Sequence, residues 1–387
     1  MMEEKTEEIC VSSPGKAILF GEHAVVYDKP ALAASLDMCT FVRAKISKGN
    51  DVHLKLVDFN KTFKWPIKQI TETLYQPSGG GDVKNVPDLS VEDIECLWSK
   101  VKSSFPSDYD NTAVLVFLYL YSSIVCSNEP LPLDVEVASC LPIGAGLGSS
   151  ASYTTCLSAT MLTAVKAIKE FSNTDLDLVN RWAFSAERIL HGNPSGVDNS
   201  VSVFGGLIKY QSGVITRVKC PTTLEIILIN TKVQRETKKL VEKVRKRNIE
   251  WPKVIQPVLD GIGAIIESVE NIFQDVSRIN IDKLNELVHI NQGLLCALGV
   301  SHPKLNEICQ LAAECGFSAK LTGAGGGGGA FCFVPTSCSK SEDFMSKLEG
   351  RGFSCWKTKV GGPGVLLHQN IDEFRKTRNN IPEHFAQ

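Results

Sequence analysis

The sequence predicts a two-domain protein of mixed strands and helices, and three observations carry that expectation. A chain of 387 residues exceeds what one ordinary core holds. Its patterning changes from strand-rich to helix-rich near residue 220, and each side of that change carries its own glycine-rich loop. The domains are therefore expected at 1–220 and 221–387. Hydrophobic residues at 43% and charged residues at 22% describe a soluble globular chain. A net charge of −2 argues against a protein whose partner is nucleic acid.

The elements follow in order. Between Ile9 and Ile46 the runs Cys10-Val11, Ala17–Phe20, Ala24–Tyr27 and Phe41–Ala44 predict strands, with turns at Pro14-Gly15 and Asp28–Pro30. The signal is weaker from Asn60 to Asp110, where Pro77–Asp82 reads as an exposed loop. Ala113–Val125 is apolar but too short to span a bilayer. Leu131–Val137 alternates as a strand and leads into the first glycine turn. A helix follows, through about Glu170. A second helix starts on Thr174 as N-cap, with Asp177 three residues on and an apolar face of Leu176, Val179, Trp182, Ala183, Ala186 and Leu190. It ends at His191-Gly192, a turn covers Asn193–Gly196, and strand character resumes over Val201–Tyr210. Farther on, Glu225–Asn230 predicts a strand. Helical patterning then runs to Cys315, closed by Gly316, and two short strands flank the second glycine run.

Thirteen cysteines stand singly, several within apolar runs (Cys156, Cys296, Cys332). No C-x-x-C pair occurs. Reduced, buried thiols fit this better than a disulfide framework or a zinc site. The acidic, polar stretch Met1–Glu8 does not read as a secretory signal, so a cytoplasmic location and no membrane partner are expected.

The stretch richest in chemistry is Leu141-Pro-Ile-Gly-Ala-Gly-Leu-Gly-Ser-Ser-Ala-Ser152. Its glycines leave backbone N–H groups open to an anion, and the helix beginning near Ser149 aims its positive end at the same point. It lacks the Gly-Lys-Ser/Thr ending of the common P-loop. Taken alone it is either a phosphate cradle or a glycine turn before a capped helix. Asp198, on a tight turn, is either a general base or a turn-forming aspartate. Glu187 borders the apolar face of its helix, so it needs a partner, either a metal ion or a nearby arginine. Lys16 opens an apolar strand, where it neutralises a phosphate or reaches solvent. Glu22 and His23 follow that strand, and a histidine so placed is a structural hydrogen-bonder or a ligand. Arg235 and Thr237 precede a basic helix at a loop suited to an anion. The run Gly323–Gly329 is denser than a turn requires, which implies either close approach to a ligand or a flexible loop.

Together these segments resemble the GHMP family of small-molecule kinases. Three motifs match in the family's order: Pro14-Gly-Lys-Ala-Ile-Leu-Phe-Gly-Glu-His-Ala-Val-Val26, Pro142-Ile-Gly-Ala-Gly-Leu-Gly-Ser-Ser-Ala151 and Lys320-Leu-Thr-Gly-Ala-Gly-Gly-Gly-Gly328. The strings His191–Ser200 and Asn230–Thr237 resemble the eukaryotic branch that acts on mevalonate. The galactose-phosphorylating members have Thr-Asp where this chain has Ala24-Val25.

The resemblance implies an α+β fold of two domains, the first like a domain of a ribosomal small-subunit protein, the second ferredoxin-like, with the active site between them. It implies transfer of phosphate from ATP to the primary hydroxyl of mevalonate, in the synthesis of isoprenoid and sterol precursors. Asp198 would take the hydroxyl proton, and Lys16 would stabilise the developing charge. Pro142, Gly144, Ala145, Gly146, Leu147, Gly148, Ser149, Ser150 and Ala151 would cradle the triphosphate. Glu187 with Ser149 or Ser150 would hold Mg²⁺.

Glu22, His23, Ser195, Arg235, Thr237, Gly323, Ala324 and Gly325 would meet the substrate, Arg235 through its carboxylate. A homodimer and feedback inhibition by isoprenoid diphosphates are implied as well. The alternatives are a member acting on phosphomevalonate, served by the basic run Lys238–Arg247, and a catalytically inactive metabolite sensor. The chain departs from the pattern at Gln234, where relatives have proline, and at Gly329-Ala330, where they have larger residues.

Overall fold

β1 (Glu8–Phe20) and β2 (Ala31–Ile46) run antiparallel and form the spine of the molecule. The computed structural model describes residues 8–74, 82–105, 111–127, 129–142, 145–219, 223–234, 236–274, 279–335 and 338–369. β1 does not turn at Pro14-Gly15 as the sequence predicts. It continues through a bulge, with a register shift between Pro14 and Lys16. A proline and a glycine that punctuate a turn serve equally well to bulge a strand. Ala24–Tyr27 is likewise a 3₁₀ turn and not a strand.

β3 (Asp51–Leu56) and β4 (Lys61–Pro66) form a hairpin. The helices α1 (Ile67–Leu74), α2 (Val91–Ser104) and α3 (Thr112–Leu120) follow it. α3 and the π-helical turn Tyr121–Val125 after it are almost wholly buried, which accounts for the apolar run there. No described helix is long and apolar enough to cross a membrane. β5 (Leu133–Ser139) pairs with β2 and delivers the chain to the first glycine turn.

α4 (Ser149–Ala164) ends earlier than the sequence suggests and is buried on nearly every side. Its Ser152 fixes it to the spine, because the hydroxyl donates to Ser13 O at 2.7 Å and accepts from Thr40 N at 3.1 Å. α5 (Asn173–His191) is capped by Ser172 and Asp175, not by Thr174 and Asp177. The Ser172 hydroxyl accepts the Asp175 N–H and the Asp175 carboxylate accepts the Ser172 N–H, so the reciprocal box sits two residues earlier than read.

α6 (Val197–Phe204) occupies residues whose β-branched composition predicts a strand from Val201. Periodicity alone cannot distinguish a short apolar run in a strand from one in a buried helix. The strand character begins later, at β6 (Leu207–Gln211), which pairs with β7 (Val214–Val218) and with β2.

β8 (Leu224–Asn230) opens the second half. α7 (Thr237–Glu250), α8 (Pro252–Gln274), α9 (Ile281–Ala297) and α10 (Pro303–Glu314) follow. β9 (Ala319–Thr322) and β10 (Gly329–Phe333) flank the second glycine run, then come α11 (Lys340–Gly350), β11 (Ser354–Val360) and β12 (Leu366–His368). β11, β8, β10 and β9 lie side by side, joined to β2 through the pair Val360 and Leu36. β12 returns to pair with β1.

The described cysteines are free thiols. Cys156 and Cys332 are buried as expected, but Cys296 is exposed on α9.

The cap assignment is testable. Ser172→Ala is expected to lower unfolding free energy by about 1 kcal/mol, and Thr174→Ala by clearly less. Urea denaturation of both variants measures the difference.

Candidate active site

The bulge in β1 sets the position of Lys16. Its backbone N–H donates to Leu147 O at 2.7 Å, which ties the strand to the glycine turn. A Cβ at Gly148 would fall 2.7 Å from Lys16 Cγ, and Gly148 has φ +74°, so only glycine lets the lysine stem lie against the turn. α6 is held to the same bulge: Ser202 Oγ donates to Pro14 O at 2.9 Å and Ser13 Oγ donates to Ser202 O at 3.2 Å. Asp198, in the first turn of α6, thereby meets Lys16, with Nζ 3.0 Å from Oδ1. A carboxylate in a first helical turn is favoured by the helix dipole. Lys16 is buried, whereas the Asp198 side chain is 39% exposed, so the acid faces the open side of the pair.

Glu187 stands on α5 close by and is 2% exposed. Burial pushes its carboxyl up to about 8, and the Asp198 charge adds to the rise. Hydrogen bonding from Ser150 and Thr154 and the Lys16 charge draw it partly back. Arg188, the adjacent arginine, pairs instead with Asp88 at 2.6 Å. Glu187 Oε2 lies 3.6 Å from His191 Nε2, and that ring nitrogen shares a 3.1 Å hydrogen bond with Ser150 Oγ. Glu187 Oε1 is buried with no hydrogen-bond partner. An orphaned carboxylate oxygen in a group that also meets the Ser150 and Thr154 hydroxyls fits a hard cation. Among the described residues no group of three or more His, Cys, Asp or Glu is arranged to hold a metal unaided. A magnesium ion carried by nucleotide phosphates needs only one or two protein ligands.

In the glycine turn, Pro142, Ala145, Gly146, Leu147 and Gly148 precede Ser149, Ser150 and Ala151 of α4. Gly144 lies outside the described residues. A cavity of about 320 Å³ opens beside this helix mouth, lined by residues that include Thr40, Asp58, Ser139, Ser149, Ser150 and Tyr153. Its lining comes from 40–59, 113 and 137–190. Asp58 Oδ2 accepts the Ser139 N–H at 2.8 Å, and burial raises the Asp58 carboxyl.

The residues expected at the substrate divide into two groups. Ser195, before α6, and Thr237, first in α7, are exposed; Arg235 lies outside the described residues. Glu22 and His23 are buried and turned to the protein's own second half. Glu22 Oε1 pairs with Lys320 Nζ, and Oε2 accepts from Asn291 Nδ2 at 3.3 Å. His23 Nε2 bonds with Ala324 O at 2.8 Å, and burial lowers its imidazole.

The loop Gly323–Gly328 is packed against protein. A Cβ at Gly325 would lie 2.2 Å from Val300 O, and one at Gly327 would lie 2.7 Å from Val233 Cγ1. Close approach accounts for its composition, but the neighbour is the chain itself. Sequence reasoning missed Lys320 and Asn291. The one available signal was a lysine inside an otherwise apolar strand.

A glycine turn at the mouth of α4 lies against the lysine of the Lys16–Asp198 pair, and the fold around it is that of a small-molecule kinase. Residues 111–206 match the model of the GHMP kinases N terminal domain and 272–343 that of the GHMP kinases C terminal. Mevalonate kinase of Bos taurus is 42% identical over 385 residues, covering 94% of this chain and 96% of that protein. Mevalonate kinase of Arabidopsis thaliana is 34% identical, with 93% and 99% covered. The chain belongs to the GHMP kinase family, in its mevalonate kinase branch.

Solved structures share the fold. That of the Methanococcus jannaschii mevalonate kinase superposes with a TM-score of 0.71 at 21% identity, covering 93% of this chain and all 100% of that one. That of the L. major enzyme in complex with R-mevalonate gives 0.69 at 22% identity, with 91% and 96% covered.

The Glu187 environment gives a pH signature. In metal-free protein the folded state keeps this proton to about pH 8, whereas an unfolded chain releases it near about 4.3. The folded state binds the extra proton between these limits, so stability is expected to fall as pH rises through that window. Urea midpoints in the presence of a chelator should show the decline, and Glu187→Gln should flatten it. An unchanged slope in that variant would place the titrating group elsewhere.

Proposed function

We propose that the protein transfers the γ-phosphoryl group of ATP to the primary hydroxyl of (R)-mevalonate, giving 5-phosphomevalonate and ADP. The observation that carries this reading is the Lys16–Asp198 pair, 3.0 Å apart, at the mouth of the glycine turn. Mevalonate kinases that align with nearly the whole chain support the choice of substrate. The two family models match 111–206 and 272–343, N-terminal part before C-terminal part, as the reading expects.

The cavity beside α4 receives the nucleotide base, and the backbone N–H groups of 145–148 with the α4 N-terminus receive the phosphates. Glu187 and a hydroxyl of Ser149 or Ser150 hold Mg²⁺, which when bound supplies charge neutralisation between the β- and γ-phosphates. Asp198 accepts the proton of the mevalonate hydroxyl as that oxygen attacks phosphorus. The Lys16 ammonium offsets negative charge on the transferring group. Arg235 meets the mevalonate carboxylate, a planar anion that suits its paired donors, and Ser195 and Thr237 line the reacting end. Most of the rate gain comes from position and charge, as phosphoryl transfer requires. The paired base and the orphaned acid together favour an enzyme over a metabolite sensor, which needs neither.

The homodimer, inhibition by isoprenoid diphosphates at the nucleotide site, and a cytoplasmic location belong to the same proposal and rest on the family.

Pure protein incubated with ATP, Mg²⁺ and (R)-mevalonate is expected to release ADP; turnover of phosphomevalonate alone would overturn the substrate. Asp198→Ala should abolish turnover while a fluorescent ATP analogue still binds. Lys16→Met should lose more than tenfold in rate, above about 1.4 kcal/mol of transition-state stabilisation. Near wild-type rates in Asp198→Ala would remove the base assignment.

A further inference from the structure

Glu22 ends a tight web that joins β1 to β9 and the loop after it. Lys320 has no exposed surface, and Glu22 is 2% exposed. The ammonium donates to Leu19 O at 2.9 Å, to Leu321 O at 2.8 Å and to Glu22 Oε1. An ammonium has three donors, so all are engaged. The rings of Phe20 and Phe331 flank it at 5.6 and 5.1 Å, and a cation between aromatic faces is stabilised by both. Both Glu22 oxygens are taken, by Lys320 and Asn291. Two neighbouring links follow the same seam: Thr322 Oγ1 donates to Ile18 O at 2.8 Å, and His23 Nε2 bonds with Ala324 O.

Stability alone is a weak reason for such a pair. Desolvating two charges offsets most of their attraction, and an apolar pair of similar volume is often as stable. An ion pair with every donor assigned does something an apolar contact does not: it fixes one register between the segments it joins. The segments here are the strand that carries Lys16 and the strand that leads into Gly323–Gly328.

We propose that Glu22 is a positioning residue and not a substrate ligand: paired with Lys320, it clamps the second glycine loop to β1 and so sets where mevalonate sits relative to Lys16 and Asp198. This rests on the reading of mevalonate as substrate, but the clamp itself can be tested without substrate.

The test compares Glu22→Gln, Lys320→Met and the double variant. Each single variant leaves one buried partner uncompensated and is expected to raise KM for mevalonate at least tenfold, with KM for ATP within about twofold of wild type. The double variant loses the same clamp as either single variant, so its KM for mevalonate should stay within about threefold of theirs and not multiply the two effects. A direct ligand predicts otherwise: Lys320→Met would leave mevalonate affinity intact. That pattern would overturn the proposal.

Hydrogen exchange on Glu22→Asp, without substrate, covers the case in which the other variants do not fold. The amides of Gly326 and Gly328, now donated to Val300 O and Val233 O, should exchange at least tenfold faster when the carboxylate is shortened. Unchanged exchange there would also overturn the clamp. If wild-type protein fails to phosphorylate mevalonate, the substrate reading falls while the exchange result still decides the clamp.

Discussion

Lys16 is fixed at three points, two on the glycine turn and one on α6. Its N–H is donated to the glycine turn, its stem lies against Gly148, and its ammonium meets Asp198 on α6. The β1 bulge makes these contacts compatible, because the register shift falls between Pro14 and Lys16, just before the lysine pairs with Ser35 of β2. The spine, the anion cradle and the base therefore share one anchor. The hydroxyls of Ser152 and Ser202 hold that stretch of backbone, donating to Ser13 O and Pro14 O, and Ser13 Oγ donates back to Ser202 O.

The charges around this anchor are unbalanced in a useful way. Glu187 and Asp198 repel one another, and the Lys16 charge acts on both. Repulsion and burial together keep a proton on Glu187 in the absence of a cation. On the proposed function, Glu187 would give up that proton to hold a divalent cation, and Lys16 would then serve the transferring phosphoryl group.

Much of this was legible in the chain and some was not, for reasons that differ by residue. The first glycine turn declares itself locally, since Gly146 and Gly148 before Ser149 carry both the anion site and the helix start. Glu187 declared its burial through its place beside Trp182, Ala183 and Ala186 on a helical face. The order of motifs brought Lys16 and Asp198 together by resemblance, although nothing in either segment specifies the other. The bulge at Pro14-Gly15 was read as a turn because the same residues serve both. Val201–Phe204 was read as strand because four apolar or small residues fit either period. The Glu22–Lys320 pair was invisible, since it joins segments from opposite ends of the chain and leaves no local pattern.

The central claim is that one site, anchored on Lys16, holds nucleotide, metal and mevalonate in line for transfer. A crystal structure with a non-hydrolysable ATP analogue, Mg²⁺ and (R)-mevalonate tests it most directly. The account predicts a metal ion on Glu187 and a hydroxyl of Ser149 or Ser150, phosphates against the 142–148 turn, and the primary hydroxyl of mevalonate within hydrogen-bond distance of Asp198. A mevalonate hydroxyl turned away from Asp198, or a metal ion that leaves Glu187 unligated, would contradict it.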